Sequence, residues 1–160
     1  MPDLQITHNG TPRTCRSAPN TKLLWVLREE LGDTSARFGC GEAYCGSCMV
    51  AVDRRAMHSC DVPLWAVEGK DIRTAEGLRA TAIGRVLLAA FERRQAGQCG
   101  YCLTGVLVTA HALLEQDPAP SRERIGQALE RNLCRCGTHV RIVAAIEDAA
   151  AGLAQAGARA

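Results

Sequence analysis

Hydrophobic and polar positions alternate at the start of the chain and then change period. Leu4 to His8 is a short alternating run followed by Asn9-Gly10, the dipeptide best suited to the positive φ angles of a two-residue hairpin. Thr11 to Arg16 is its return strand. Leu23, Leu24, Leu27 and Leu31 recur at helical spacing, with Asn20 or Thr21 placed to cap the start and Gly32 placed for a left-handed C-terminal cap. Cys48 to Val52 and Arg55 to Ser59 read as a second pair of strands around Asp53-Arg54, and Asp71 to Thr74 as a short fifth. From about residue 80 the alternation stops, and helices are predicted over 80–96, 102–116, 121–131 and 139–156. Asp117-Pro118-Ala119-Pro120-Ser121 separates the second from the third, with Ser121 as cap. Short helices on short connections predict an antiparallel bundle. The expected fold class is α+β without internal repeats: a mixed strand-and-helix domain over residues 1–77 and a helical domain over 78–160.

Composition narrows the chemistry. The 160 residues are 47% hydrophobic and 22% charged, as in a folded chain with a core. The longest apolar run, Val86 to Phe91, is far shorter than the roughly 18 residues a membrane span requires, and Met1-Pro2-Asp3-Leu4-Gln5 has no basic region leading into an apolar one. Direct membrane insertion and a secretory signal are therefore not expected. A net charge of +2 and an aromatic content of 4% give a nucleic acid little to bind or stack on. Nine cysteines, an odd number without signs of export, favour metal or redox chemistry over a disulfide framework.

The cysteines form two groups. Cys40, Cys45 and Cys48 are spaced C-x4-C-x2-C, with Cys60 eleven residues beyond the last, which is the plant-type [2Fe–2S] arrangement. Gly39, Gly41 and Gly46 stand beside these cysteines, where a loop must bring its N–H groups towards inorganic sulfide. A structural zinc site and plain buried cysteines are the alternatives, and zinc sites usually pair their ligands in two short knuckles that this loop lacks. The second group is Cys99 and Cys102, then Cys134 and Cys136. Taken alone, CxxC with CxC is compatible with zinc, a redox disulfide or a cluster. Each pair precedes a predicted helix, where backbone dipoles favour thiolates. Cys15 is left over and reads as a small apolar strand residue.

The segments GCGEAYCGSC at 39–48, SC at 59–60, QCGYC at 98–102 and NLCRCGTH at 132–139 closely resemble the small iron–sulfur subunit of bacterial molybdenum hydroxylases, the xanthine dehydrogenase family. The resemblance runs from about Leu4 to about Ala149. It implies a ferredoxin-like β-grasp domain holding one [2Fe–2S] cluster, with Cys40, Cys45, Cys48 and Cys60 as ligands. It further implies a four-helix-bundle domain holding a second, with Cys99, Cys102, Cys134 and Cys136. A large partner subunit would carry molybdopterin, as the cytosine dinucleotide, with Gln98 and Cys136 of this chain against the pterin. Electrons would leave for an FAD subunit or a cytochrome c. The implied location is cytoplasmic, or at a membrane or beyond it through a partner subunit. Asp53-Arg54-Arg55 lacks a glycine common in that turn, Met49 replaces a common threonine, and His139 stands where an aromatic is frequent.

Other residues carry weaker signals. His8, His58, His111 and His139 share no spacing and read as polar surface or capping residues, with His58 close enough to Cys60 to tune it. Arg135 reads as an ion-pair or partner residue. Gln98 could alternatively cap the turn that follows it. No nucleophilic triad, paired carboxylates or phosphate loop is present, so no organic substrate is expected on this chain. Two rival readings are a free-standing electron carrier and a zinc-stabilised interaction module.

Overall fold

The computed structural model describes residues 3–157. Strands β1 (Leu4–His8), β2 (Thr11–Cys15), β3 (Met49–Val52), β4 (Arg55–His58) and β5 (Asp71–Arg73) form one sheet in the order β2-β1-β5-β3-β4. The β1–β5 pair is parallel and the others are antiparallel. Asn9 and Gly10 take φ of 49° and 81° and make the first hairpin turn. The second turn uses Asp53 and Arg54 at φ 45° and 68°, a left-handed pair without glycine. Asp53 is held there by the Asp71 N–H at 3.1 Å and Lys70 Nζ at 3.1 Å.

The first helix differs from its sequence pattern. Helix α1 (Leu23–Trp25) runs directly into a π-helical turn, Val26–Glu30, closed by the Leu31 N–H on the Val26 carbonyl at 3.0 Å. Its N-cap is Lys22, without a side-chain cap, so neither Asn20 nor Thr21 does that work. Gly32 does take the left-handed conformation, at φ 72°. Two 3-10 turns that the sequence pattern does not reveal, Leu64–Val67 and Glu76–Ala80, follow. Helices α2 (Ala82–Arg93), α3 (Leu103–Gln116), α4 (Arg122–Ala128) and α5 (His139–Gly157) complete the chain. The Thr81 hydroxyl caps α2 and the Ser121 hydroxyl caps α4.

Strand β3 is the seam between two cores. Val50 and Val52 point into an apolar cluster with Leu23, Leu27, Leu64 and Ile72. Met49 and Ala51, on the other face, join Val106, Ala110, Leu113 and Ile146 of the helical half. A strand buried on both faces reads as a continuous apolar run, as MVAV does.

Two polar networks brace this frame. Asp33, just past Gly32, accepts hydrogen bonds from His8 Nε2 (2.8 Å), the Thr74 hydroxyl (2.6 Å) and the amide and hydroxyl of Ser35 (2.9 and 2.6 Å). Burial alone would raise its pKa, but these bonds hold it well below the usual carboxylate range. On the other side of the sheet, Arg73 Nη1 reaches Glu115 Oε1 of α3 at 3.2 Å, and Arg54 Nη2 reaches the Glu115 carbonyl at 3.2 Å. Glu115 Oε2 lies 3.6 Å from His111 Nδ1, and His111 Nε2 lies 2.9 Å from the Thr81 hydroxyl.

Candidate metal centres

Cys40, Cys45 and Cys48 occupy the loop between the π-helical turn and β3, and Cys60 follows β4. The Ser59 N–H and hydroxyl both donate to the Cys48 carbonyl, at 3.2 and 2.7 Å, and keep Cys60 beside Cys48. The loop turns its N–H groups towards sulfur. Those of Glu42, Tyr44 and Cys45 point at Cys40 Sγ from 3.4, 3.3 and 3.4 Å, and that of Cys40 points at Cys45 Sγ from 3.4 Å. Burial opposes a thiolate at Cys40, yet these donors outweigh it and bring the pKa to about 7. Cys48 is the opposite case. Burial pushes its thiol up to about 12.

Cys102 is the N-cap of α3, and Cys134 and Cys136 lie in the turns before α5. The thiols of the two segments face one another, Cys99 near Cys136 and Cys134, and Cys102 near Cys134 and Cys99. Burial pushes Cys102 up to about 12, whereas for Cys134 the Thr138 hydroxyl (3.3 Å) and amide overcome burial and lower the pKa to about 7. Among the described residues no three His, Cys, Asp or Glu side chains are gathered tightly enough for a lone metal ion.

The quartets are neighbours. A cavity of about 480 Å³ is lined by Cys45, Cys99, Cys102 and Cys134, with Tyr101 and Arg135 also on its wall. The Leu133 N–H donates to the Cys45 carbonyl at 2.9 Å, so one hydrogen bond links a member of the first quartet to the residue before Cys134. Arg37 Nη1 donates to the Gly100 carbonyl at 2.8 Å and its guanidinium lies 5.2 Å over the Tyr101 ring, while the Tyr101 hydroxyl donates to the Phe38 carbonyl. Gly46 allows the closest approach. A Cβ there would stand 2.2 Å from the Arg131 carbonyl, and one on Gly105 of α3 would stand 1.9 Å from the Gly46 carbonyl. Asn132, 2% exposed, lies against Gly46 with neither amide atom hydrogen-bonded. A larger depression of about 610 Å³ beside Val52, Met57 and Val67 holds no cysteine.

Known proteins repeat this division. Residues 6–80 match a 2Fe-2S iron-sulfur cluster binding domain, and residues 74–147 match a [2Fe-2S] binding domain. The chain is 45% identical over 147 residues to a nicotinate dehydrogenase subunit of Pseudomonas putida, covering 92% of this chain and 94% of that one. It is 42% identical over 151 residues to the alpha subunit of isoquinoline 1-oxidoreductase from Brevundimonas diminuta, covering 92% and 97%. Its fold overlays quinoline 2-oxidoreductase from Pseudomonas putida 86 with a TM-score of 0.89 at 38% identity, over 98% of this chain and 97% of that one. The chain belongs to the small iron–sulfur subunits of the molybdenum hydroxylases. In this iron–sulfur subunit the first match spans Cys40, Cys45, Cys48 and Cys60, and the second spans Cys99, Cys102, Cys134 and Cys136.

The remaining expected residues separate clearly. Cys15 is fully buried opposite Leu4, in the same apolar cluster as Cys48 and Cys60, and burial followed by Glu30 raises its thiol to about 11. Gln98 is exposed, and α3 has no side-chain N-cap, so Gln98 does not cap it. Arg135 is exposed on the cavity wall. The histidines depart from the surface reading. His8, His58 and His111 are buried, and only His139 is exposed. Two of the buried rings have partners that spacing does not encode, His8 on Asp33 and His111 at Thr81, while His58 Nε2 is buried without a partner. Asn132 carries no signal in the sequence although it stands within NLCRC, because an Asn before a cysteine has no signature of its own.

Proposed function

We propose that this chain is the electron-transfer subunit of a molybdenum hydroxylase, passing electrons from molybdopterin on a large partner subunit through two [2Fe–2S] clusters to a flavin or cytochrome. In this reading Cys40, Cys45, Cys48 and Cys60 hold one cluster in a ferredoxin-like β-grasp domain, residues 1–77. Cys99, Cys102, Cys134 and Cys136 hold the other in a four-helix-bundle domain, residues 78–160. Each [2Fe–2S] group supplies one-electron chemistry when bound.

The observation that carries this reading is the meeting of the two cysteine groups, with Cys45 of the first lining one cavity with Cys99, Cys102 and Cys134 of the second and joined to them by the Leu133–Cys45 hydrogen bond. The residues present fit iron–sulfur groups in three ways. N–H donors converge on Cys40 and Cys45, as anionic sulfur needs. The second quartet sits at the N-terminal ends of α3 and α5, where dipoles favour negative charge. Asn132 offers a buried amide with no partner in the protein.

Gln98 and Cys136 form the edge facing the pterin. An exposed Gln98 side chain supplies both a donor and an acceptor, which a pterin edge can meet. The cofactor on the partner is the cytosine dinucleotide form, the partner set includes an FAD subunit or a cytochrome c, and the complex is cytoplasmic or reaches a membrane through a partner. The substrate is an N-heteroaromatic compound or an aldehyde. Relatives named for nicotinate, isoquinoline and quinoline favour the ring.

The test is metal analysis of the purified complex, which should give about four iron and four labile sulfide for each copy of this chain. Two iron, or zinc in place of iron, would overturn the assignment. Gln98→Ala in that complex should slow reduction of both clusters by substrate in stopped flow while substrate binding to the large partner stays intact. An unchanged rate would remove Gln98 from the path.

A further inference from the structure

We propose that Asn132, carried by the helical half, donates a hydrogen bond through Nδ2 to sulfur of the first cluster and raises that cluster's reduction potential. The inference rests on the proposed presence of a cluster at Cys40, Cys45, Cys48 and Cys60, and assigns a tuning residue outside that ligand loop.

Asn132 is buried to 2% exposure, and both Nδ2 and Oδ1 lack a partner in the protein. Buried amides are nearly always hydrogen-bonded, so a missing partner points to a group that belongs at the site. The position of the amide identifies that group. Nδ2 lies 2.6 Å from where a Cβ of Gly46 would be, and Gly46 stands between Cys45 and Cys48. The backbone around Asn132 is pinned, with the Leu133 N–H on the Cys45 carbonyl at 2.9 Å and His139 Nε2 near the Asn132 carbonyl at 3.2 Å. The amide is thus held, buried, against Gly46 of the ligand loop.

The chemistry sets the sign. Thiolate and sulfide accept hydrogen bonds, and the acceptor charge grows when an electron is added, so an N–H donor favours the reduced state. An aspartate of the same shape would remove the donor and add negative charge. A leucine would remove the donor alone. Asn132 also lies two residues before Cys134 of the other quartet, so the residue that tunes one cluster comes from the segment that ligates its neighbour.

The experiment uses the assembled complex, in which this chain is grown with asparagine labelled with ¹⁵N at the side-chain amide. Within this chain only Asn9, Asn20 and Asn132 take the label, and the Asn9 amide is already engaged with the Thr74 hydroxyl at 2.9 Å. Pulsed EPR of the reduced first cluster should show a ¹⁵N coupling that disappears in Asn132→Leu. The reduction equilibrium of that cluster should fall about tenfold, or 59 mV for one electron, with a smaller change at the second. Asn132→Asp should shift it at least as far in the same direction. If a variant fails to assemble, the wild-type ¹⁵N signal decides alone. Four iron with no ¹⁵N coupling, a coupling confined to the second cluster, or an unshifted potential in an iron-replete variant would overturn the assignment of Asn132. Absence of the first cluster from the wild-type complex would instead overturn the function proposed above.

Discussion

The two cysteine quartets differ in how much of the holding falls to the backbone of one loop. Around Cys40 and Cys45 the backbone itself does the holding, with Gly41, Ala43 and Gly46 at positive φ and successive N–H groups aimed at sulfur. Around Cys99, Cys102, Cys134 and Cys136 two segments meet at the starts of α3 and α5, with the Tyr101 N–H on Cys99 Sγ at 3.5 Å and the Thr138 hydroxyl 3.3 Å from Cys134 Sγ. The first site therefore depends on local chain geometry. The second depends on how two helices pack.

The sharpest way to break this comparison is to remove one ligand from each site. Cys45→Ser should lose the first cluster, about half the iron, and keep the EPR signal of the second, while Cys102→Ser should do the reverse. Cys15→Ser is the control and should leave iron unchanged. Loss of both signals from either ligand variant would show that the sites fail together.

Glycine substitutions should separate the sites by energy. Gly46→Ala places a Cβ at φ 76° and 2.2 Å from the Arg131 carbonyl, and should cost about 3 kcal/mol from strain and overpacking together. Gly137→Ala, beside Cys136, has a similar φ of 73° but open space, and should cost about 1 kcal/mol. Denaturant midpoints of the two variants test this, and equal losses would mean that close approach matters no more in the first site than in the second.

A smaller effect concerns acid. Asp33 has a depressed pKa in the folded chain, so its contribution is complete above the unfolded carboxylate value of about 3.9 and is lost as pH falls below it. Asp33→Asn should cost about 2 kcal/mol at neutral pH and flatten that acid-side loss. Stability measured from pH 7 downward checks the sign. A variant as acid-sensitive as the parent would move the cause elsewhere.

Much of this frame was legible in the sequence. Asn9-Gly10 marked the first hairpin, Cys48 to Val52 and Arg55 to Ser59 marked the second strand pair, and Asp117-Pro118 with Ser121 marked a break and a cap that the structure contains. Cysteine spacing separated the quartets, since loop spacing is a direct record of what a loop must wrap. Other features left no such record. The π-helical turn over Val26–Glu30 preserves a leucine pattern that an ordinary helix would share, so periodicity cannot distinguish them. Burial of His8 and His111 depends on Asp33 and Thr81, partners 25 and 30 residues away in the chain. The contact of Gly46 with Arg131 and Asn132 joins two segments more than 80 residues apart, and glycine in a cysteine loop has a local explanation that hides the distant one.

Helix α3 touches the sheet half at both of its ends. Gly105 rests on Gly46 beside the cysteines, and Glu115, ten residues and about 15 Å further along, is gripped by Arg54 and Arg73. A bar fastened at two points does not swing. The two quartets should therefore keep a constant separation through the catalytic cycle, and transfer between them should proceed at the same speed in glycerol as in dilute buffer, because no hinge motion through the solvent sets the pace.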